Sequence, residues 1–163
     1  MNNNRFDRAT PTDAEEVFSL YHSLIDLPYS TWSEDYPTKD IVENDLIQNE
    51  VLVLRDENGR ILAAIVLAED EEIAGIAPWY ADVTRWIEFS RLGVAADLQS
   101  RGIARRMLEH AMRVSRVKGY EAVRFLVAKS NPIAQKSYNK LGFDICGEHE
   151  MWGLQWLCYQ MRL

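Results

Sequence analysis

The 163-residue chain lacks any apolar run long enough to span a bilayer, and its opening Met1-Asn-Asn-Asn-Arg5 does not read as a signal peptide. A cytoplasmic address and no membrane partner are therefore expected. Cysteine is scarce: Cys146 and Cys158 are the only two. They fall in consecutive predicted strands and could face one another, but a cytosolic address favours free thiols. Histidine is scarce too, and His22, His110 and His149 have no serine or cysteine nucleophile at a recognisable spacing, which disfavours a triad hydrolase. Cys146-x-x-His149 puts two ligand types three apart on a strand, hence on opposite faces, so no metal site is expected. Neither Gly-x-x-x-x-Gly-Lys-Ser/Thr nor Gly-x-Gly-x-x-Gly occurs, which disfavours a nucleotide-phosphate or dinucleotide site. Basic charge is in deficit: a formal net charge of −7 argues against nucleic acid as a partner. That charge suits a cationic amine substrate, or only solubility.

What is present reads as one α/β domain over residues 1–163, without linkers or repeats. Arg5 to Ala9 is a candidate first strand. Thr10-Pro11-Thr12-Asp13 opens a helix with a cap, a first-turn proline and an acid three residues on, and Val17, Leu20, Tyr21, Leu24 and Ile25 form its apolar stripe. A turn-rich segment, Leu27 to Pro37, precedes a second helix from about Lys39 to Gln48. Val51 to Arg55 and Ile61 to Leu67 are dense apolar strands joined by the turn signal Asp56-Glu57-Asn58-Gly59. Asp70 to Glu72 reads as a solvated loop, and Gly75 to Asp82 as a loop before a central strand from about Val83 to Val94. Glu88 and Arg91 are anomalies there, because an ionised group in a covered strand must be paired, hydrated or functional. Ala122 to Ala128, Phe143 to Cys146 and Leu154 to Leu163 are further strands. Asn131-Pro132 opens the helix between the first two of these, and Leu141-Gly142 ends it.

The stretch from Glu88 to Leu108 organises the rest. It reads as strand, short turn, then a helix opening on Arg101-Gly102-Ile103-Ala104, with Ile103, Met107, Leu108, Ala111 and Val114 at helical spacing. N–H groups in the first helical turn have no intrahelical partner, and the helix dipole adds positive potential. A glycine there removes the Cβ that would block approach to the main chain. The backbone from Ser100 to Arg105, with arginines nearby, is thus a candidate pyrophosphate cradle; the plainer reading is a tight turn.

Gln99-x-x-Gly102-x-Ala104 resembles the acyl-coenzyme A signature of the GNAT N-acetyltransferase superfamily, and Asn131-x-x-Ala134-x-x-x-Tyr138-x-x-Leu141-Gly142-Phe143 resembles that family's second motif. The resemblance runs from about Trp86 to Phe143. It implies the element order β-α-α-β-β-β-α-β-α-β-β, a mixed, twisted sheet flanked by helices and splayed after a bulge near Arg91-Leu92-Gly93. It implies acetyl-CoA as co-substrate, held by backbone groups of Leu92, Gly93 and Val94 along the pantetheine arm and by the amides of Ser100, Arg101, Gly102, Ile103, Ala104 and Arg105 at the pyrophosphate. Gln99 would close that loop, Asn131 could bond the pantetheine amides or serve only as a helix cap, and Ala134 would keep its helix close to the cofactor.

Acetyl transfer to an amine needs a base for the ammonium and an acid for the departing thiolate. Glu88 stands eleven residues before Gln99, where histone-type members of the family carry their catalytic glutamate. Its alternative is an ion pair with Arg85 or Arg91. Tyr138 matches the family tyrosine that donates to the coenzyme A sulfur, and is otherwise a core aromatic. The expected function is direct transfer from acetyl-CoA to a primary amine. The alternative is a non-catalytic acyl-CoA-binding sensor or scaffold, with Glu88 and Tyr138 serving only packing. Trp32, Tyr36, Trp79, Tyr80 and Trp86 could line the acceptor pocket. Small amines and peptide or protein amines all stay open as acceptors, because the fold supports many. A homodimer is suggested by family habit alone.

Overall fold

The computed structural model describes residues 3–163. Seven strands and four helices follow one another among the described residues: β1 Arg5–Arg8, α1 Ala14–His22, α2 Lys39–Gln48, β2 Glu50–Arg55, β3 Ile61–Ala68, β4 Trp86–Val94, α3 Ile103–Val117, β5 Ala122–Ala128, α4 Pro132–Lys140, β6 Asp144–Met151 and β7 Leu154–Arg162. This is the expected order. The strands bond in the sequence β1-β2-β3-β4-β5-β7-β6. β4 runs parallel to β5, while β1 with β2, β2 with β3, β5 with β7 and β6 with β7 are antiparallel, so the sheet is mixed. No helix of the described residues is long and apolar enough to cross a membrane. Two compact units divide the chain, Met1–Leu67 with Arg91–Ala111 and Ala68–Ser90 with Met112–Leu163.

In the first unit the β2–β3 hairpin closes as its sequence suggests. Asp56 Oδ1 accepts from the N–H groups of Asn58 and Arg60, and Gly59 takes a φ of +86°. Every residue of β3 is buried, which explains a strand without polar alternation. Asp13 Oδ2 accepts from the Thr10 N–H at 2.9 Å, as the capping pattern predicts. Pro11–Asp13 nevertheless forms a 3₁₀ turn, so the α-helix starts only at Ala14. Val17, Leu20 and Tyr21 are its buried face; Leu24 is buried beyond its end, and Ile25 only half so. In α2, Thr38 Oγ1 accepts from the Ile41 N–H, and Val42, Asp45 and Leu46 are buried. Of the stripe expected on α3, Ile103, Met107, Leu108 and Ala111 are buried and Val114 half-buried.

In the second unit, Trp86, Ile87 and Glu88 pair with Ala122, Val123 and Arg124. β4 begins at Trp86 and not at Val83. The Glu121 carboxylate takes the N–H groups of Thr84 and Arg85, and the Val83 N–H turns back to Tyr80. The acidic segment after β3 is not merely a loop: Glu71–Ile73 makes a 3₁₀ turn anchored by buried Ile73, whose carbonyl accepts from Trp79 Nε1 at 2.8 Å. β6 extends to Met151, well beyond the expected Cys146, and turns into β7 through Trp152 and Gly153 at φ of +54° and +74°. A tryptophan in a left-handed turn position carries no turn signal in sequence, which is why that hairpin was hidden. Cys146 falls at the irregularity between Ile145 and Gly147, so Cys158 pairs with Gly147, and both thiols are free.

Candidate active site

The turn that joins β4 to α3 lies in the first unit. Val94 O accepts from Gln99 Nε2 at 2.6 Å, which folds the intervening residues back on themselves around a 3₁₀ turn at Ala96–Leu98. Ser100 then takes a φ of +61° and Gly102 of +76°. Two left-handed residues flanking Arg101 re-aim the main chain just ahead of the helix. The Gly102 carbonyl accepts from the Arg106 N–H at 3.1 Å, so the N–H groups from Gly102 to Arg105 belong to the unpaired first turn of a 15-residue helix. A Cβ built on Gly102 would meet nothing within 4 Å. The surroundings are open, and what demands glycine is the positive φ together with main-chain access. Ser100, Arg101, Gly102 and Arg105 are exposed, Ala104 is half-buried, and Ile103 points into the core. Unpaired donors at a helix N-terminus carry a positive bias of the kind that suits an anionic group.

Upstream, Leu92, Gly93 and Val94 form the end of β4. Gly93 is buried, and a Cβ on it would lie 3.0 Å from Leu24 Cδ1 and 3.1 Å from Tyr21 Cδ1. Glycine at this position therefore lets α1 lie directly against the strand. Arg91, one of the two anomalies, has a φ of +47° in the middle of a strand. That irregularity falls where the bulge was expected. Its guanidinium is paired: Nε and Nη2 donate to Asp45 Oδ2 and Oδ1 at 2.6 and 2.7 Å, and Nη1 donates to Tyr36 Oη at 3.0 Å. Burial works against the charge on Arg91, but the hydrogen bonds and charge of Asp45 outweigh it and hold its pKa above the ordinary arginine value. Asp45 is a residue the sequence reading passed over. Its signal was the spacing Val42-Asp45-Leu46, which places an acid on the buried stripe of α2.

Glu88, Asn131, Ala134 and Tyr138 lie in the second unit. Glu88 is half-buried on β4 and stands in register with Arg124 of β5. Of the two arginines suggested as its structural partner, Arg91 bonds Asp45 and Tyr36, and Arg85 donates to the Lys118 carbonyl and lies 4.5 Å over the Tyr120 ring. On the other face of β5, Phe125 meets Tyr138 edge-on at 5.0 Å, and Phe143 and Tyr159 complete the cluster. Burial among these rings pushes the Tyr138 pKa up to about 12, and no described residue hydrogen-bonds its hydroxyl. The group thus keeps its proton at neutral pH and is available as a donor. Asn131 Oδ1 accepts from the Ala134 N–H at 3.1 Å, so the cap role is real, and the amide nitrogen and the second lone pair of Oδ1 are left for a ligand. The suggested acceptor-pocket aromatics divide. Trp79 is buried and bonded to Ile73, whereas Trp32 packs edge-on against Tyr21 and Tyr36 is exposed.

Comparison with known proteins agrees with this arrangement. The sequence matches the family model described as the acetyltransferase (GNAT) family over residues 18–143. A comparison with curated proteins gives no match. Among solved structures, an N-acetyltransferase from Staphylococcus aureus Mu50 is 20% identical with a TM-score of 0.74, over 98% of this chain and 98% of that chain. The ribosomal-protein-S18-alanine N-acetyltransferase from Escherichia coli is 19% identical with a TM-score of 0.74, over 98% of this chain and 93% of its own. The yncA protein of Salmonella typhimurium, solved with its cofactor acetyl-CoA, is 18% identical with a TM-score of 0.72, over 99% and 94%. At such identities these structures speak to fold alone, while the family model spans most of the sequence and both motif regions. The chain belongs to the acetyltransferase (GNAT) family.

Proposed function

We propose that this acetyltransferase takes its acetyl group from acetyl-CoA and transfers it directly to a primary amine, with residues 1–163 acting as one catalytic domain. The observation that carries the cofactor is the turn before α3, where left-handed Ser100 and Gly102 leave a run of unpaired helical N–H groups on an open surface. Ser100, Arg101, Gly102, Ile103, Ala104 and Arg105 would hold the pyrophosphate through their amides, and Gln99 braces the turn from Val94. Leu92, Gly93 and Val94 would pair with the pantetheine arm, Asn131 would hydrogen-bond its amides, and Ala134 would let the cofactor approach α4. When bound, acetyl-CoA supplies an acyl group activated as a thioester.

The chain's own groups do the rest. Glu88 accepts the proton that the acceptor ammonium must lose before its nitrogen can attack. A main-chain N–H from Leu92 to Val94 hydrogen-bonds the carbonyl oxygen as negative charge develops on it. Tyr138 hydrogen-bonds the departing sulfur and delivers a proton to it. The acceptor is a small-molecule or peptide amine. The chain's net negative charge favours a cationic acceptor.

The test is thiol release from acetyl-CoA over a panel of polyamines, amino acids and peptides, with the wild type and Tyr138→Phe. At least one amine should support turnover. The variant should lose about a hundredfold in kcat and keep its coenzyme A affinity. Acetyl-CoA bound without release to any amine would contradict the proposed chemistry. An unchanged kcat in the variant would remove Tyr138 from it.

A further inference from the structure

Arg91 is the one non-glycine residue inside a described strand that adopts a left-handed backbone. For a residue with a Cβ that conformation is disfavoured, and it persists only when the surroundings over-determine it. Here they do. The planar guanidinium is held on three sides, by both carboxylate oxygens of Asp45 and by the Tyr36 hydroxyl. Asp45 is itself only 3% exposed and takes a further hydrogen bond from Asn49 Nδ2 at 3.1 Å, so it is fixed on α2. A bidentate arginine–carboxylate pair transmits orientation as well as charge.

The next three residues are the backbone segment assigned above to the pantetheine arm. Beyond Arg91 the segment is pinned again: Gly93 lies against Tyr21 and Leu24, Val94 O receives Gln99 Nε2, and the Ala95 N–H donates to Leu62 O at 2.9 Å. The Arg91 end is fixed by a buried, charged side-chain pair, against a backbone geometry that runs counter to its residue type.

We propose that Asp45 and Tyr36, acting through Arg91, are positioning residues that preset the Leu92–Val94 backbone for the cofactor. The inference rests on the acetyl-CoA reading. Neither side chain need touch the cofactor; the pair fixes a main-chain direction before binding, so that ordering the segment does not draw on binding free energy. Tyr36 is 40% exposed on the segment between α1 and α2, and so ties that segment to the same arginine.

Calorimetric titration of coenzyme A into four proteins tests this. The wild type comes first: if it binds neither coenzyme A nor acetyl-CoA, the cofactor reading falls and this proposal with it. Asp45→Asn leaves a buried arginine poorly paired and can fail to fold, so the decisive protein is Asp45→Asn with Arg91→Gly. That double variant removes both charges of the pair, and glycine accepts the positive φ freely. It should fold and yet bind coenzyme A about tenfold to a hundredfold more weakly, with a matching rise in KM for acetyl-CoA and an unchanged KM for the amine. Arg91→Lys, which keeps the charge and loses the planar fork, should not restore wild-type affinity. Wild-type coenzyme A affinity in the folded double variant, with the wild type itself binding, would overturn the positioning role and leave the cofactor reading standing.

Discussion

Arg124 sits 5% exposed on β5, its guanidinium carbon 4.5 Å over the Trp86 ring and 5.3 Å over Trp79, while Nε has no hydrogen-bond partner. Two ring faces offset part of the desolvation cost, and burial pulls its pKa below the ordinary arginine value. Methionine keeps most of the apolar stem and removes the unsatisfied donor. Arg124→Met is therefore predicted to lie within about 1 kcal/mol of wild type by denaturant unfolding, and Arg124→Ala to lose about 2–4 kcal/mol through its cavity. A methionine variant as unstable as the alanine one would mean that the cation itself is required. Tyr138 gives a second prediction at this scale. Its pKa, raised to about 12 by burial, lies above the working range, so the hydroxyl is protonated through neutral and mildly alkaline pH. The pH–rate profile should show no alkaline limb below about pH 10 that Tyr138→Phe abolishes. Such a limb would place the tyrosine in a different protonation role.

Among elements, β4 and the turn into α3 carry the most. Gly102→Val forces a branched side chain to a φ of +76° and covers main-chain donors. Coenzyme A affinity should fall at least tenfold, and the strained φ should cost about 1–3 kcal/mol of stability even though nothing lies within 4 Å of a Cβ there. Normal affinity would move the cradle elsewhere. Gly93→Ala is the opposite case. A methyl 3.0 Å from Leu24 and 3.1 Å from the Tyr21 ring overpacks α1 against β4, and unfolding should show a loss of about 1–3 kcal/mol. These two glycines also mark what could be read in advance. The helix α3 and its opening turn were legible because their stripe, glycine and preceding glutamine are local in sequence. The Asp45–Arg91–Tyr36 contact was not, because it joins residues 46 and 55 positions apart, and only folding brings α2 to β4. Similarly, the Trp152–Gly153 hairpin was missed because its first residue adopts a conformation its side chain does not advertise.

For the whole molecule, the strand and helix order was legible from alternation, caps and turns, and the units into which the chain divides were not, since no compositional break marks Leu67 or Arg91. Acid stability is a property of this scale. Asp7, bonded by the Arg8 N–H and Arg55, Asp82 by Arg162, Asp97 by Arg60, and Glu121 by Thr84, all have pKa values below the usual carboxylate range. A depressed folded-state pKa contributes stability that is complete above the unfolded-state value and disappears as pH falls through the folded one. Unfolding free energy should thus hold steady from neutral pH to about pH 5 and decline below about pH 4. The decline should be shallow, because these side chains are exposed and screened. A steep loss already at pH 6 would point to a buried titrating group. The claim on which the functional reading depends is that the native chain binds the cofactor. Thermal unfolding without ligand, with coenzyme A and with acetyl-CoA measures this directly. At a hundred times Kd, binding should add roughly 2.7 kcal/mol and raise Tm by a few degrees with either ligand. No shift with either ligand at millimolar concentration would show that the turn before α3 is not a working cofactor site.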